Sequence, residues 1–342
     1  MLNLIARKII PPNLRAVLPI LTLIGLCPLY SKEKLPAEQI AEWRKNADNG
    51  NAEAQFNLGT CYDNGDGVEQ DAVLAVDLYR KAAEQGNSAA QCNLAYCYSN
   101  GHGVEKDKAK AAKYYRKSAE QGVAIAQFNL AACYDEGRGV IKDDIKAYKW
   151  YRKAAEQGDT QAQINLGIFY EKGRGVKESK TDAAKWYEKA ASKGDPKAQY
   201  LIGFCHIEGI GVPVNEAIAV SWWLKAAESG HAMAQYNLGV HYSNSKNAMA
   251  DYVEAAKWYK RSAEQGNVEA QALLSAMYIM GIGIQKNNII GYKWSHLASA
   301  GGSNNGIKIR EIVAREMTDE EIAEAQRLCR QWKPIIENVN LN

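Results

Sequence analysis

An Ala-Gln pair that returns every 36 residues is the feature that most constrains how this chain folds. Its glutamines keep one spacing without insertion or deletion: Gln55, Gln91, Gln127, Gln163, Gln199, Gln235 and Gln271. A fixed period of roughly 20–50 residues is typical of repeat architectures. The sequence therefore predicts one elongated array of seven units, rather than the two or three separate domains that 342 residues could otherwise form.

The first half of each unit predicts a helix that begins at a capping residue. In the second unit, Asn87 can accept hydrogen bonds from the amides of the first turn, and apolar residues follow at helical spacing over 88–99. Val123 and His231 are exceptions at the equivalent capping position. A small residue such as Gly59 stands four positions after each repeat glutamine, and it lets another helix approach closely.

The second half of each unit predicts a glycine-rich turn followed by a second helix. In the second unit, Gly101 and Gly103 end the first helix and Asp107 caps the next one. Aromatic residues beside small ones on this helix indicate a packed core, and the lysine near its end indicates a solvated face. In the sixth unit Ser245 and Asn247 replace the glycines, so that loop is predicted to differ in shape.

Segments outside the period are predicted to cover the ends of the array. Residues 37–50 indicate a lone capping helix, and the seven units occupy 51–303. Residues 304–334 indicate a helical cap, whose last helix opens with a capping box at Thr318. Residues 335–342 are predicted to form a frayed tail. Atypical terminal units of this kind keep a repeat array soluble.

The amino-terminal 36 residues have the order of a secretory signal. Arg7, Lys8 and Arg15 precede an apolar run over 16–29. That run is shorter than the roughly 20 apolar residues of a membrane-spanning helix. We therefore expect a periplasmic or secreted protein, with residues 1–36 acting as an export signal or a retained anchor and providing any membrane contact. A cytoplasmic location is the alternative if this segment is not a signal.

The net charge and the cysteine positions limit which partners and which disulfides this chain can have. A net charge of +3 does not indicate a nucleic-acid-binding surface. Equivalent points on packed helices lie about 8–10 Å apart, whereas a disulfide needs Cα atoms within roughly 7 Å. Four of the seven cysteines share one repeat position and are therefore predicted to be free, buried thiols: Cys61, Cys97, Cys133 and Cys205. His206 and His241 leave a metal site open as an alternative to packed histidines, and no cofactor is predicted.

The unit motif carries a family resemblance. Residues 161–194 match Ala-x-Ala-Gln-x-x-Leu-Gly-x-x-Tyr, a Gly-x-Gly-Val loop and Ala-x-x-Trp-Tyr-x-Lys-Ala-Ala-x-x-Gly almost throughout. This motif resembles the Sel-one-like (SLR) repeat family, relatives of the tetratricopeptide repeats, and the resemblance covers about Ala37 to Pro334. It implies a right-handed α/α solenoid of seven 36-residue helix-turn-helix repeats with helical caps, whose first helices line the concave side. It also implies a non-enzymatic scaffold or adaptor without shared catalytic residues.

The resemblance also raises two alternatives. Exported, cysteine-rich members pair a first-helix cysteine with one near the end of the second helix, and that subgroup has been linked to penicillin binding and β-lactamase activity. In this chain other residues stand where the partner cysteines would be: Ala83, Ser118, Ala155 and Ala227. An exported serine hydrolase is the alternative function, but the Ser-x-x-Lys matches at Ser31 and Ser243 lack the companion motifs. A eukaryotic lumenal adaptor is the alternative to a bacterial one.

A column of asparagines is the candidate binding site. They stand two residues after the repeat glutamine: Asn57, Asn93, Asn129, Asn165 and Asn237. Because the adjacent leucine points into the core, we expect the amides to face the concave groove and to bind the backbone of an extended peptide or protein. The alternative is an internal ladder, in which these amides bond to each other or to the neighbouring helix. The Lys/Arg pattern that holds a terminal carboxylate in related tetratricopeptide domains is not evident.

Overall fold

A computed structural model describes residues 35–244 and 251–335, and within those residues the chain is entirely helical, with seventeen α-helices and no β-strand. The helices are α1 (Ala37–Asp48), α2 (Ala52–Asn64), α3 (Ala72–Glu84), α4 (Ser88–Asn100), α5 (Lys108–Glu120), α6 (Ala124–Glu136), α7 (Asp144–Glu156), α8 (Thr160–Lys172), α9 (Lys180–Ser192), α10 (Pro196–Glu208), α11 (Glu216–Glu228), α12 (Ala232–Ser243), α13 (Tyr252–Glu264), α14 (Val268–Met280), α15 (Asn288–Ala300), α16 (Asn304–Ala314) and α17 (Asp319–Gln331). Most of the predicted export segment, the predicted irregular loop at 245–250 and the tail after Ile335 lie outside the described residues.

Helices α2 to α15 form seven hairpins, called repeats 1 to 7 below. Of the described residues, 35–189 belong to one compact unit, and 190–244 with 251–335 belong to another. Within each unit consecutive helices pack together, as α4 does against α5 and α14 against α15. The fold is therefore the all-α solenoid that the period predicts. No helix in the described ranges combines the length and apolar character needed to cross a membrane.

Side-chain caps begin the helices as predicted, with one correction. The side chain of Asn87 accepts a hydrogen bond from Ala90 N at 2.8 Å. Val123 provides no side-chain cap. His231, predicted to be an exception, does cap its helix, because its Nδ1 accepts a hydrogen bond from Ala234 N at 3.3 Å. An unprotonated imidazole nitrogen can replace the oxygen of the usual capping residues.

The small residue on the first helix makes room for an aromatic ring from the second. A Cβ atom added at Gly167 would lie 2.4 Å from Cε1 of Tyr187, and one added at Gly239 would lie 2.6 Å from Cε1 of Tyr259. Both tyrosines are about 98–99% buried. The two helices of a hairpin therefore pack a small residue closely against a large ring.

The two glycines of each turn have different tasks. Gly137 has φ 73° and ends α6 in the left-handed conformation. Gly139 instead touches the preceding repeat, where an added Cβ would lie 2.0 Å from the carbonyl oxygen of Lys108. Gly175 approaches Asp144 O in the same way, at 2.2 Å. The turn of one repeat therefore lies directly on the start of the second helix of the repeat before it.

The ends of the described chain carry the predicted capping features. In the capping box of α17, Thr318 Oγ1 accepts a hydrogen bond from Glu321 N at 3.3 Å, and Thr318 N donates to Glu321 Oε2 at 2.9 Å. Ile40 of α1 is buried against the first repeat. Ile335, the first residue of the predicted frayed tail, donates its amide to Glu264 O at 2.8 Å.

Candidate functional site

The repeat glutamine forms a hydrogen-bonded link between successive hairpins. Gln127 is buried, and its Nε2 donates to Ala119 O at 3.1 Å. Its Oε1 accepts from Nε2 of Gln157, a bond of 2.7 Å. One side chain thus joins the ends of α5 and α7 to α6. The glutamines at the other repeat positions donate to equivalent carbonyls: Ala47, Ala83, Ala155, Ala191, Ala227 and Ala263.

The predicted asparagine column lies beside these links. All five amides are half-buried on first helices: Asn57, Asn93, Asn129, Asn165 and Asn237. Burial raises the pKa of the Tyr79 phenol well above its usual range. A hydrogen bond with the side chain of Asn93 lowers that pKa by a smaller amount. Asn165 has the same relation to the pKa of Tyr151. Two of the amides therefore meet a tyrosine on the second helix of the preceding repeat, while part of each side chain stays accessible.

These contacts belong to a cluster that recurs between repeats and is called a polar step here. It contains the residue near the end of a first helix, the buried tyrosine of the second helix, and the asparagine and mid-turn residue of the next repeat. In step 1 the hydroxyl of Tyr79 donates to Asp63 Oδ2 at 3.2 Å. Nε2 of the mid-turn residue His102 lies 2.7 Å from Asp63 Oδ1. The acid therefore joins repeat 1 to repeat 2.

Step 3 has the same arrangement with a second acid. Arg174 is the mid-turn residue, and its Nη2 lies 2.6 Å from Asp135 Oδ1 and 2.5 Å from Asp144 Oδ1. Burial alone would lower the pKa of Arg174. The hydrogen bonds to both carboxylates outweigh that effect, so the pKa is raised. Tyr151 OH lies 3.5 Å from Asp135 Oδ2. The cation is therefore neutralised entirely from within the protein.

Step 2 has no acid at either of those positions and contains a small cavity instead. Ser99 and Lys108 replace the two aspartates, and Arg138 is the mid-turn residue. The cavity is about 20 Å³, enough for one water-sized group. It is lined by Ser99, Lys108, Ala111, Tyr115, Asn129, Cys133 and Arg138. The repeat pattern predicted Asn129 but not Arg138, although the sequence shows Ser and Lys in this unit where the next unit has two aspartates.

Of the described cysteines at the shared repeat position, Cys61, Cys97 and Cys133 are free, buried thiols, as predicted from their spacing, and Cys205 is also buried. Burial raises the pKa of Cys97 to about 12 and those of Cys61 and Cys133 to about 11. Because the thiolate is the nucleophile and the metal ligand, these groups are poor candidates for either task. The four cysteines at the shared position therefore act as small apolar side chains in the core.

The two histidines proposed as an alternative metal site have other partners. Nδ1 of His206 lies 3.4 Å from Pro213 O, and Nδ1 of His241 lies 3.0 Å from Glu216 Oε1. In the part of the chain that the structure describes, no group of three or more His, Cys, Asp and Glu side chains is arranged to hold a metal ion.

The serine of the alternative hydrolase motif is engaged within its own hairpin. Ser243 Oγ donates to Val240 O at 3.1 Å and lies 3.1 Å from Tyr259 OH. The Lys246 of this motif and the whole of the Ser31 motif lie outside the described residues.

The lysines near the ends of the second helices pack on aromatic rings. Nζ of Lys153 lies 4.3 Å from the ring centroid of Trp150, and Nζ of Lys189 lies 4.0 Å from that of Trp186. The sequence predicted only a solvated face for these lysines. The half-buried indole instead gains a cation–π contact that partly covers it. The second ring of each aromatic pair, such as Tyr151, is buried in the core as predicted.

Helical hairpins at a fixed period, joined by glutamine links and polar steps, define a helical-repeat protein. A family model described as "Sel1 repeat" matches 52–87, 88–123, 124–159, 160–195, 196–231, 232–267 and 268–303. The chain belongs to the Sel1 repeat family. Members of this family are generally protein-interaction scaffolds and generally lack enzymatic activity.

Solved structures agree with this assignment. A Sel1 repeat protein from Oxalobacter formigenes is 34% identical over 80% of this chain and 80% of its own, with a TM-score of 0.68. The protein c5321, described as a protective antigen of uropathogenic Escherichia coli with an SLR fold, is 26% identical over 86% of this chain and 78% of its own, with a TM-score of 0.58. No curated protein matches the sequence.

Proposed function

We propose that this protein is a non-enzymatic scaffold that binds an extended polypeptide along the part of the asparagine column that lies in repeats 1 to 4. The observation that carries the proposal is the position of these amides: Asn57, Asn93, Asn129 and Asn165 recur in each of repeats 1 to 4 and remain half-exposed beside the buried glutamine links. A primary amide offers two donors and an acceptor, so contact with one tyrosine leaves hydrogen-bonding capacity for a ligand backbone. Export through residues 1–36 stays a prediction of the sequence.

Aromatic side chains next to the column support apolar contact with the same ligand. Phe56 and Phe128 are half-buried on first helices, adjacent in sequence to Asn57 and Asn129. Their rings pack against the tyrosines of the second helices, with centroid distances of 6.0 Å to Tyr79 for Phe56 and 5.7 Å to Tyr151 for Phe128. Each ring thus packs on a tyrosine that an asparagine of the next repeat also contacts, so backbone hydrogen bonds and apolar side-chain contacts can act together.

The proposal is tested by selecting a random dodecamer peptide library against the full-length protein. Synthetic copies of the selected peptides are then measured against the triple variant Asn93→Ala, Asn129→Ala and Asn165→Ala. Each net hydrogen bond contributes about 0.5–1.5 kcal/mol, so losing three should weaken binding by roughly 10- to 1,000-fold. The matched control is Asn64→Ala with Asn100→Ala, because these two amides are exposed at the ends of the same class of helix.

Melting temperatures separate binding from folding in this experiment. The scaffold proposal expects the triple variant to stay folded and to lose affinity, while the control keeps both. A triple variant that melts far below the wild type, and loses no affinity at temperatures where it is folded, would instead establish an internal ladder. Unchanged affinity in a fully folded triple variant would also reject the asparagine column as the binding site.

A further inference from the structure

Step 2 differs from its neighbours in the charge around the mid-turn cation. Asp135 and Asp144 both contact Arg174 in step 3. The residues 36 positions earlier in the chain are Ser99 and Lys108, so step 2 has neither of these two carboxylates for Arg138. The same backbone arrangement therefore holds a cation with two carboxylates in one step and a cation without either of those carboxylates in the other.

Glu136 pairs with Arg138 but does not accept a hydrogen bond from its Nε–H. Glu136 Oε2 lies 2.8 Å from Nε of Arg138, which is an ion-pair distance. The angle of this contact lies outside hydrogen-bond geometry, and the buried Nε–H has no acceptor. Asp107 caps α5 by accepting from Lys110 N, and it also lies 3.3 Å from Lys110 Nζ. Buried donors in native proteins are rarely left without a partner.

We propose that Ser99, Lys108, Tyr115, Asn129 and Arg138 form a cationic niche that binds the side-chain carboxylate of an Asp or Glu in the partner polypeptide. The guanidinium plane matches a carboxylate, and the serine hydroxyl adds a further donor. The cavity of about 20 Å³ has room for one water-sized group, which is about the size of a carboxylate oxygen. Asn129 belongs to both the asparagine column and the niche, so this inference rests on the proposed scaffold function. It adds that the bound polypeptide has an Asp or Glu side chain at step 2.

An isosteric pair of variants tests the charge of the niche. Ser99→Asp introduces the internal acid that step 3 already has, so it should occupy Arg138 and exclude the ligand carboxylate. Ser99→Asn has nearly the same size and shape but no charge. The random dodecamer library is selected against full-length wild type and both variants, with melting curves recorded for each protein. Wild type and Ser99→Asn should select peptides enriched in Asp or Glu, whereas Ser99→Asp should not.

Synthetic peptide pairs give the magnitude. Replacing the enriched Glu by Gln should weaken binding to wild type by about 10- to 100-fold, since hydrogen bonds to charged groups are among the strongest. The same replacement should have no effect on binding to Ser99→Asp or Arg138→Gln. Enriched peptides that bind equally well with Glu or Gln would overturn the niche while leaving the scaffold proposal intact.

Two further outcomes also reject the niche. Equal loss of carboxylate preference in Ser99→Asn and Ser99→Asp would show that shape, and not charge, decides binding at this position. A library that yields no binder to wild type would overturn the niche together with the scaffold function on which it rests.

Discussion

Replacing Gln127 by Leu should lower the local stability of the contact between repeats 2 and 3. The size of this loss can be worked out from the hydrogen bonds that Gln127 makes. Leucine keeps most of the side-chain volume, so a cavity contributes little. The variant loses the 3.1 Å bond to Ala119 O and the 2.7 Å bond from Gln157. Neither partner is orphaned, because Gly122 N still donates to Ala119 O and Gln157 still donates to Gly122 O at 2.9 Å. Two net bonds at about 0.5–1.5 kcal/mol each give a loss of roughly 1–3 kcal/mol.

The chain provides a matched control at Gln199. This residue is also buried, but its bond to Ala191 O is 3.4 Å long, and its Oε1 is buried without a hydrogen-bond partner. Gln199→Leu therefore removes one weak bond together with an unsatisfied acceptor, and the two effects nearly cancel. We expect its local stability to stay within about 0.5 kcal/mol of the wild type.

Native-state hydrogen exchange of the full-length protein measures both changes locally, which is needed because repeat arrays do not always unfold in one step. Amides of α5 and α6 should exchange roughly 5- to 150-fold faster in Gln127→Leu, whereas the amides around Gln199 should be almost unaffected in Gln199→Leu. Equal acceleration in the two variants, or none in Gln127→Leu, would refute the view that the second hydrogen bond makes the repeat glutamine a structural link.

Three further measurements follow from the structure. Gly139→Ala should lower the melting temperature far more than Gly122→Ala, because both have positive φ but only the Cβ at 139 would meet a backbone atom, at 2.0 Å; similar losses would refute the close contact. Burial lowers the pKa of His231 to about 4 in the folded protein, below the value of about 6.5 in the unfolded chain. The unfolded chain therefore binds the proton at a higher pH, and the free energy of unfolding should fall by about 2–3 kcal/mol as pH drops from about 6.5 to 4. His231→Asn should keep the cap and flatten this part of the pH profile in urea titrations; an unchanged profile would exclude His231 as its source. At pH 8, mass-spectrometric mapping of thiol alkylation should find the half-exposed Cys329 modified before the buried Cys97, and labelling in the reverse order would contradict the raised pKa of Cys97.

The periodic part of the fold was predictable from the sequence because it depends on local signals. The predicted helix over 88–99 ends one residue before the observed end of α4, since a cap at one end and a left-handed glycine at the other bound it. The His231 cap was missed because imidazole is not among the usual capping groups. Local rules thus located the helices and erred where an unusual side chain performs a common task.

Contacts between repeats were less predictable, because period alone does not say what a recurring residue touches. Gln127 was recognised as a marker, but its partners lie 8 residues before it and 30 residues after it. The second glycine of the turn was assigned to helix termination, although Gly139 is needed for an approach to the preceding repeat. The asparagine positions were predicted, whereas the charged mid-turn residues beside them became visible only when two repeats were placed in contact.

The way each turn lies on the hairpin before it constrains how such a chain can change in length during evolution. If a complete 36-residue segment is duplicated or deleted, each remaining turn still contacts the start of a second helix in the repeat before it. A single inserted residue between Gly139 and Asp143 would shift one hairpin relative to its neighbour and misalign the contacts on both sides. Descendants of this gene should therefore differ in the number of whole modules, with smaller insertions tolerated mainly beyond the terminal helices.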